Sequence, residues 1–520
     1  MASRRNSASV FLPVDVTGYS TNPTYDERPA SYALESYEPL LSDPEDVDYS
    51  PEEEAEVVRI LDSRLFPWVL LTTFVLNMDR TNNSNAISDN LAQDLGFTID
   101  TVNLATALYS VLFSIFCLSG AVAAKIAGPS RWIPILMFSW GLVTLAHVLI
   151  KDKAGYLTGI AITEGGVIPA TLVYLGAFYK GTELATRLAW FWGTQQVASA
   201  TSGIMAAALL RLRGVGGLEG WKWLFLVDGV LTLIIAVATW YYLPEGLSNT
   251  KGGLRGVRPW FTHRQVRIAV ERVIRDDQSK KEYECPVQWS DVKDAFTDLG
   301  LWGHLIITAV GLTPGTPLST YLPTIIKSFD FNVFVANALT APPHILQFIL
   351  MLTVVRHSDR VKERGFHGAF GAGWQFVGWI LLRSLPYGTH RVIKYLAVLM
   401  VASWPYTHPL NIAWMSENTG SIGKRTLGSG LVIGAANLHG TWGSQIYRAD
   451  DAPDFKRGNL INIAIAGTTF ILWIIQKLYY QYCNARNAER FTALTEEEKE
   501  REENLKDQKG NRSLTYRFTT

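Results

Sequence analysis

The chain of 520 residues has few cysteines and no excess charge of either sign. Its three cysteines, Cys117, Cys285 and Cys483, are far apart and lack CxxC spacing, so they support neither a disulfide framework nor a zinc site. Lys and Arg together number 47, as do Asp and Glu, and this balance leaves no basic field that would hold nucleic acid. We therefore expect no metal and no nucleic-acid partner.

Enzyme signatures are also missing from the chain. The sequences GxSxG, HExxH and Walker A do not occur, and we expect neither an enzyme nor a bound cofactor. The first residues, MASRRNSASVFLPVDV, contain two arginines but too short an apolar run for a cleaved signal peptide. Without a nucleotide-binding motif, any uphill transport would have to draw on an ion gradient.

Long apolar stretches dominate what is present. Hydrophobic residues make up 48% of the chain and charged residues 18%, against about a quarter charged in an average soluble domain. A spanning helix needs about 20 mostly apolar residues. Twelve stretches meet that need, at about 65–86, 101–123, 132–150, 155–178, 186–210, 222–243, 301–323, 333–355, 367–385, 392–415, 426–447 and 458–481. The sequence predicts an all-α membrane protein with twelve transmembrane helices.

The twelve stretches form two groups of six. We divide the chain into a disordered tail at 1–63, a first half at 64–243, a linker at 244–300, a second half at 301–481 and a charged tail at 482–520. In the linker, apolar residues at helical spacing among Arg and Lys predict an amphipathic helix suited to a membrane surface. The layout resembles that of the major facilitator superfamily, in which two six-helix halves surround a central site. A membrane enzyme or a channel is the alternative.

Lys and Arg in the short loops predict the orientation, because cytosolic loops are enriched in them. The first loop, SDNLAQDLGFTID, has three Asp and no Lys or Arg, whereas the loop RHSDRVKERGFH has four basic residues. Both loops place the two termini in the cytosol. A stretch at 37–41, YEPLL, resembles a sorting signal, with a chance Leu pair as the alternative. This stretch leaves the plasma membrane and the vacuolar membrane open as locations.

Charge inside a membrane span is costly and usually marks function, and we single out three of the ionisable residues within the predicted spans. Asp79 and Arg80 are adjacent in the first span, and Glu164 lies in the fourth, followed by two glycines and Pro169. The functional hypothesis is a proton-linked carboxylate, Asp79 or Glu164, beside an anion-binding Arg80. The alternatives are a buried pair that fixes helix packing and, for Glu164, a hydrogen bond to a neighbouring helix.

The second half offers polar and aromatic candidates for a substrate cavity. His344 follows Pro342-Pro343, where a helix would kink. Other residues that could line a polar cavity are Trp374, Gln375, Trp404, Tyr406, Asn411 and Asn437. Taken singly, each has packing as its alternative role. Our candidate substrate-binding set is Arg80, Asn82, His344, Trp374, Gln375 and Asn437.

Several short motifs, in order along the chain, resemble the fungal anion:cation symporter branch of that superfamily, the allantoate permease group. They are Asp79-Arg80-x-Asn82, Lys125-x-x-Gly128-Pro129-Ser130-Arg131, Glu164-Gly165 with Pro169, Gly217-Leu218-x-Gly220-Trp221, Trp414-x-x-x-Asn418-x-Gly420 and Asp451-Ala452-Pro453. The resemblance implies proton-coupled movement of small, often anionic nutrients such as vitamins and organic acids. It also implies a location in the plasma membrane, with the vacuolar membrane as the second candidate, and a monomer in the lipid bilayer. The candidate gating set is Lys125, Arg131, Asp359, Arg360 and Arg364.

The chain departs from that family's pattern at two charged positions. The family commonly has a Glu in the second span and an Arg in the fourth, where this chain has Cys117 and Leu157. A less charged cavity suits larger apolar cargo, so a proton-driven exporter of a secondary metabolite or toxin is the second hypothesis. A sensor that binds a nutrient without transporting it is the third, and the retained intramembrane charges argue against it.

Overall fold

The computed structural model describes residues 48–162, 167–276, 289–386, 388–419, 422–504 and 510–520. The regular secondary structure of these residues is helical, without a β-strand. The predicted all-α fold is therefore confirmed. Glu164 and the 37–41 stretch lie outside the described residues.

The helices of the first half are preceded by a capped helix, α1 (Pro51–Arg64). Ser50 caps α1 because its Oγ accepts from the backbone N–H of Glu53 at 3.3 Å, while the Glu53 carboxylate accepts from the Ser50 N–H at 3.1 Å. The next helices are α2 (Phe66–Ser88), α3 (Leu91–Asp94), α4 (Ile99–Ala127), α5 (Pro129–Ala146), α6 (Lys153–Ile162), α7 (Val167–Gly176), α8 (Gly181–Leu209) and α9 (Gly220–Tyr242).

The linker and the second half continue the helical pattern. The linker contains α10 (His263–Asp276) and α11 (Trp289–Phe296). The second half contains α12 (Leu299–Gly311), α13 (Gly315–Lys327), α14 (Val333–Ala338), α15 (Ala341–Val361), α16 (Gly365–Ser384), α17 (Arg391–Ala402), α18 (His408–Glu417), α19 (Ile422–Gly443) and α20 (Lys456–Thr492). Helix α21 (Glu496–Asn504) follows, and residues 510–520 return to the second half.

Helix α10 places its apolar side against the protein, where we expected it to face a membrane surface. Val266, Val270 and Val273 are buried, and α10 packs on α1. Arg272 is fully buried and donates to the Glu183 carboxylate at 2.8 Å and to the Phe178 carbonyl at 2.7 Å. An amphipathic pattern alone cannot distinguish a lipid surface from a protein surface, because both are apolar.

Five described helical stretches are long and apolar enough to cross a membrane on length and composition: Ile99–Phe116, Pro129–Leu149, Gly220–Tyr242, Val333–Val361 and Lys456–Thr492. Other predicted spans are more polar or are interrupted. The seventh breaks between α12 and α13 at Pro314, and the tenth between α17 and α18 at a segment containing Pro405. Proline causes such breaks because it lacks an N–H and clashes with the preceding turn. Membrane proteins tolerate broken helices where the break lines a cavity.

Glycine lets the two halves approach closely where α8 packs on α15. A Cβ at Gly193 would lie 2.3 Å from the Phe348 ring, and one at Gly203 would lie 2.1 Å from Thr340 Oγ1. Small residues at helix crossings are the usual means of such contact in membranes. Helix α2 also packs on α13, and α4 packs on α19. These contacts surround the space between the halves.

Candidate functional site

A cavity of about 370 Å³ lies between the two halves. Its first-half wall comes from α2, α4, α5, α6, α8 and α9, and its second-half wall from α13, α15, α17, α19 and the two helix breaks. Amides and hydroxyls from both halves line it, including Asn77, Asn83, Asn85, Gln195, Gln196, Thr316, Ser319, Gln347 and Asn437. A volume of this size is typical of a small-molecule site.

Helix α2 brings the two predicted charges into the cavity. Asp79 and Arg80 both line it. Asp79 is buried, and the Thr144 hydroxyl of α5 donates to its Oδ2 at 2.6 Å. The Arg80 guanidinium carbon lies 4.8 Å from the centre of the Phe113 ring, which places a cation over an aromatic face. These contacts hold a carboxylate and a guanidinium at the same wall.

Asn82 lies behind the first-half wall and does not line the cavity. It is fully buried, and its Nδ2 donates to Asp228 Oδ2 of α9 at 2.5 Å. The Ser202 hydroxyl of α8 donates to Asn82 Oδ1 at 2.9 Å, and Asn85 Nδ2 donates to Ser202 Oγ at 2.9 Å. Asn82 therefore joins three helices of the first half, a position suited to packing.

The second-half candidates divide between the cavity and the protein interior. His344 and Asn437 line the cavity, and His344 Nδ1 lies 3.0 Å from Gln196 Oε1, across the boundary between the halves. Trp374 lies away from it and donates from Nε1 to the Met400 carbonyl at 2.8 Å. Gln375 is buried and lines a separate space of about 20 Å³ beside His408.

Charge is unequal between the two walls. Of the Asp, Glu, Lys and Arg residues that the structure describes, Asp79 and Arg80 line the cavity, and both belong to the first half. The second-half wall contains His344 and His439 with aromatic Trp404 and Tyr406. The geometry can bind one anionic group at the first half while neutral donors and rings contact the rest of a solute.

Several lining residues were absent from the predicted set. Gln195 and Gln196 are adjacent amides within the fifth predicted span, a signal that sequence reasoning could have used because buried amides need partners. Tyr109, His147 and Thr144 also line the cavity. Their positions depend on how α4 and α5 pack, and the sequence pattern alone does not indicate it.

The candidate gating residues lie on one face of the molecule, which we call the tail face because α1, α10 and residues 510–520 are there. Arg131 donates to Glu245 Oε1 from Nε at 3.0 Å and from Nη2 at 2.5 Å. Lys125 lies near the end of α4, and its side chain lies outside the described part of the structure. The first-half gating candidates thus flank the junction of α4 and α5.

The second-half gating candidates surround a buried arginine. Arg364 pairs with Asp359 and, at 2.6 Å, with Glu417, while Arg360 is exposed. Burial disfavours the Arg364 charge, but hydrogen bonds to Glu417 and Asp359 raise its pKa above the ordinary value. The Arg364 backbone N–H donates to the carbonyl of Thr520 at 2.9 Å. This loop is held by ion pairs within the second half.

Hydrogen bonds join the two halves at the face opposite the tail face. Lys327 Nζ donates to the Ser88 carbonyl at 2.8 Å, and Asn103 Nδ2 donates to the Tyr447 carbonyl at 2.6 Å. The Tyr321 hydroxyl donates to Asn103 Oδ1 at 2.6 Å. These bonds hold the ends of α2, α4, α13 and α19 together on that side of the cavity.

Comparison with known proteins agrees with this architecture. A family model for the Major Facilitator Superfamily matches residues 69–446. The chain is 28% identical over 518 residues to an uncharacterised transporter of Saccharomyces cerevisiae, covering 98% of this chain and 96% of that protein. It is 26% identical over 453 residues to the MFS transporter prlL of a fungal species, covering 83% and 88%.

The fold is also that of solved transporters. A bacterial homologue of the human lysosomal transporter Spinster, in an inward-facing and occupied conformation, has a TM-score of 0.58 at 13% identity. The match covers 79% of this chain and 96% of that one. The family match and the relatives, which are transporters, show that the protein is an integral membrane transporter and not an enzyme. With the family match spanning more than half of its length, the chain belongs to the major facilitator superfamily.

Proposed function

We propose that this protein moves a small organic anion or vitamin-like carboxylate across a membrane together with a proton. The observation that carries the proposal is the pair Asp79 and Arg80 in the first-half wall. Arg80 would bind the carboxylate, because a guanidinium matches carboxylate geometry. The motif resemblance to the allantoate permease group supports the same substrate class.

Coupling follows from the charges on the first-half wall. When both residues are ionised, the Asp79 carboxylate and an incoming substrate carboxylate are both attracted to the Arg80 guanidinium, and the two carboxylates repel each other. Protonation of Asp79 removes that competition, so the anion binds best when a proton also binds. We propose Glu164 as a second candidate proton carrier from the sequence alone.

Alternating access would rock the first half against the second around the cavity. In the arrangement described, bonds such as Lys327 to Ser88 close the face opposite the tail face. Opening that face would require these bonds to break while the tail-face ends approach each other. We place the tail face in the cytosol, in line with the basic loops, and the protein in the plasma membrane.

The test is uptake of a labelled panel of vitamins and organic acids by cells that express the wild-type protein, with and without a protonophore. Asp79→Asn should abolish the protonophore-sensitive part of the uptake of one panel member. Asp330→Asn is the matched control, because Asp330 is exposed with φ of 64°, a conformation that Asn tolerates. Uptake unaffected by Asp79→Asn and by the protonophore would contradict proton coupling through Asp79.

Export by proton antiport is the competing proposal, and the less charged second-half wall favours it. An exporter would show no panel uptake, although the protein is at the cell surface. Cells lacking it would be more sensitive to an exported toxin.

A further inference from the structure

The loop after α9 is basic and has no acidic neighbour in the sequence. Between Glu245 and Glu271 the chain contains no Asp or Glu, and residues 251–258, which we call the basic loop, include Lys251, Arg255 and Arg258. Among the described residues, no carboxylate lies within ion-pair distance of Lys251 or Arg258, and both are exposed. Two cations therefore face outward from one short loop.

The basic loop has a defined conformation. Arg255 Nη1 donates to the Leu243 carbonyl at 2.7 Å, which caps the end of α9, and the Gly252 N–H donates to the Gly256 carbonyl at 2.7 Å. Gly253 has a φ of 55°, and a Cβ there would lie 2.4 Å from the Tyr241 carbonyl oxygen. Glycine is needed at this contact, which packs the loop directly on the last turn of α9.

Two apolar side chains project from the same loop. Leu254 is 58% exposed and Val257 is 94% exposed. By contrast, Trp260 just beyond the loop is buried, with its backbone N–H donating to Thr250 Oγ1 at 2.9 Å. Exposure of Leu254 and Val257 is thus confined to the part of the segment that points away from the protein.

The loop lies at the level where a bilayer would end. Trp240 and Tyr241 on the last turn of α9 are exposed and large, as lipid-facing residues at an interface are. Behind them, Trp68 stacks on Tyr242 with ring centres 4.2 Å apart. Because Gly253 contacts the Tyr241 carbonyl, Leu254 and Val257 are held beside this aromatic belt.

We propose that the basic loop binds anionic phospholipid headgroups of the leaflet at the tail face. Lys251 and Arg258 would contact phosphate and carboxylate groups, and Leu254 and Val257 would insert between the headgroups. Charge complementarity favours this partner, because cytosolic leaflets are negative and attract basic segments next to a spanning helix. This lipid-binding proposal requires only that α9 spans the bilayer, so it does not depend on which substrate the cavity binds.

The test uses purified full-length protein in neutral detergent micelles, with a phosphatidylserine that carries a fluorescent acyl chain. Anisotropy reports binding, and phosphatidylcholine with the same label is the zwitterionic control. We expect wild-type protein to prefer phosphatidylserine, and Lys251→Gln with Arg258→Gln to weaken that binding roughly 10- to 30-fold, since each cation near a surface contributes about 1 kcal/mol. Added salt should weaken it as well.

Lys151→Gln with Lys153→Gln is the matched control, because it removes two exposed cations from a loop at the opposite face. The proposal would be overturned if the Lys251 and Arg258 double variant bound phosphatidylserine as tightly as wild type does. It would also be overturned if the control variant lost as much affinity as the double variant. Equally tight binding of glycerophosphoserine, which has no acyl chains, would instead identify a soluble anion as the partner. Val257→Ser should weaken binding several-fold without changing charge, and an unchanged affinity would exclude insertion of that side chain.

Discussion

The two halves of this transporter share a helical architecture but present different chemistry to the cavity between them. The first half contributes Asp79 and Arg80, while the described lining of the second half contains histidines, amides and aromatic rings without Asp, Glu, Lys or Arg. A charged wall can couple an anion to a proton, and a neutral wall can select for shape. Under the proposed function, recognition of charge and recognition of shape would therefore be separated between the halves.

Two buried hydrogen-bond networks behind the walls show the same contrast. In the first half, Asn82 donates to a buried carboxylate, Asp228. In the second half, buried His304 lies 2.7 Å from Asn411 Oδ1 and 2.9 Å from the Tyr480 hydroxyl, a network of groups without Asp, Glu, Lys or Arg. Loss of a partner is costlier for a buried charge than for a neutral group.

The largest effect should come from the charge on the first-half wall. Arg80→Gln should reduce uptake of the transported anion about 100-fold or more, because a charge-assisted contact with a carboxylate is lost. Asn437→Ala, on the second-half wall, should reduce it less than about 10-fold, the loss expected for one neutral hydrogen bond. The measurement is initial uptake rate against substrate concentration, and equal losses in the two variants would break the comparison between the walls.

The next effect concerns ion pairs on the tail face. Lys424 pairs with Asp298, and both side chains are largely buried. Burial alone would raise the pKa of Asp298, but the ion pair with Lys424 and hydrogen bonds from Lys424 and Asn511 lower it. Lys424→Met should destabilise the second half by about 3 kcal/mol at pH 7, because the Asp298 charge is left buried.

The pH dependence of that effect has a definite sign. A carboxylate with a lowered pKa stabilises the fold above its ordinary value, which is 3.8, and the contribution is lost as the pH falls through the lowered pKa. The difference in melting temperature between wild type and Lys424→Met should therefore shrink at acidic pH. Arg264→Gln, in the linker, is the control outside the second half, because its pair with Glu53 is more exposed and salt should weaken it. A pH-independent difference would contradict the role of Asp298.

A smaller loss of stability is expected behind the first-half wall. Asn82→Ala removes a donor from the buried Asp228 and should cost about 2 kcal/mol. Asn411→Ala in the second half should cost about 1 kcal/mol, because its partners are neutral. Melting temperatures of the purified variants test this order, and a greater loss for Asn411→Ala would reverse the contrast between the networks.

The smallest change in free energy should come from the contact between the halves at the face opposite the tail face. Lys327→Met removes the bond to the Ser88 carbonyl and should favour opening of that face by about 1 kcal/mol. The readout is labelling of a cysteine introduced at Ser319, which lines the cavity, by an impermeant reagent from that face. We expect labelling to be several-fold faster than in the same cysteine variant with Lys327 intact. Unchanged labelling would mean that this bond does not hold the face closed.

The lengths of the apolar stretches and the order of the motifs in the sequence predicted the fold class and two of the residues that line the cavity. Apolar stretches of spanning length indicated an all-α membrane protein, because a chain in lipid must satisfy its backbone polar groups within helices. The rarity of charge in such stretches selected Asp79 and Arg80, and the structure places both in the cavity. Both inferences rest on local sequence and on the high cost of charge in hydrocarbon.

Tertiary packing decided which polar residues face the cavity. Asn82 and Arg80 are two positions apart on α2, yet one joins helices and the other lines the cavity, because helical neighbours point in different directions. Trp374 and Gln375 lie away from the cavity, whereas Gln196 of α8 lines it. The local sequence determined helices and the cost of their charges, but only the approach of helices distant in sequence decided which side chains share one space.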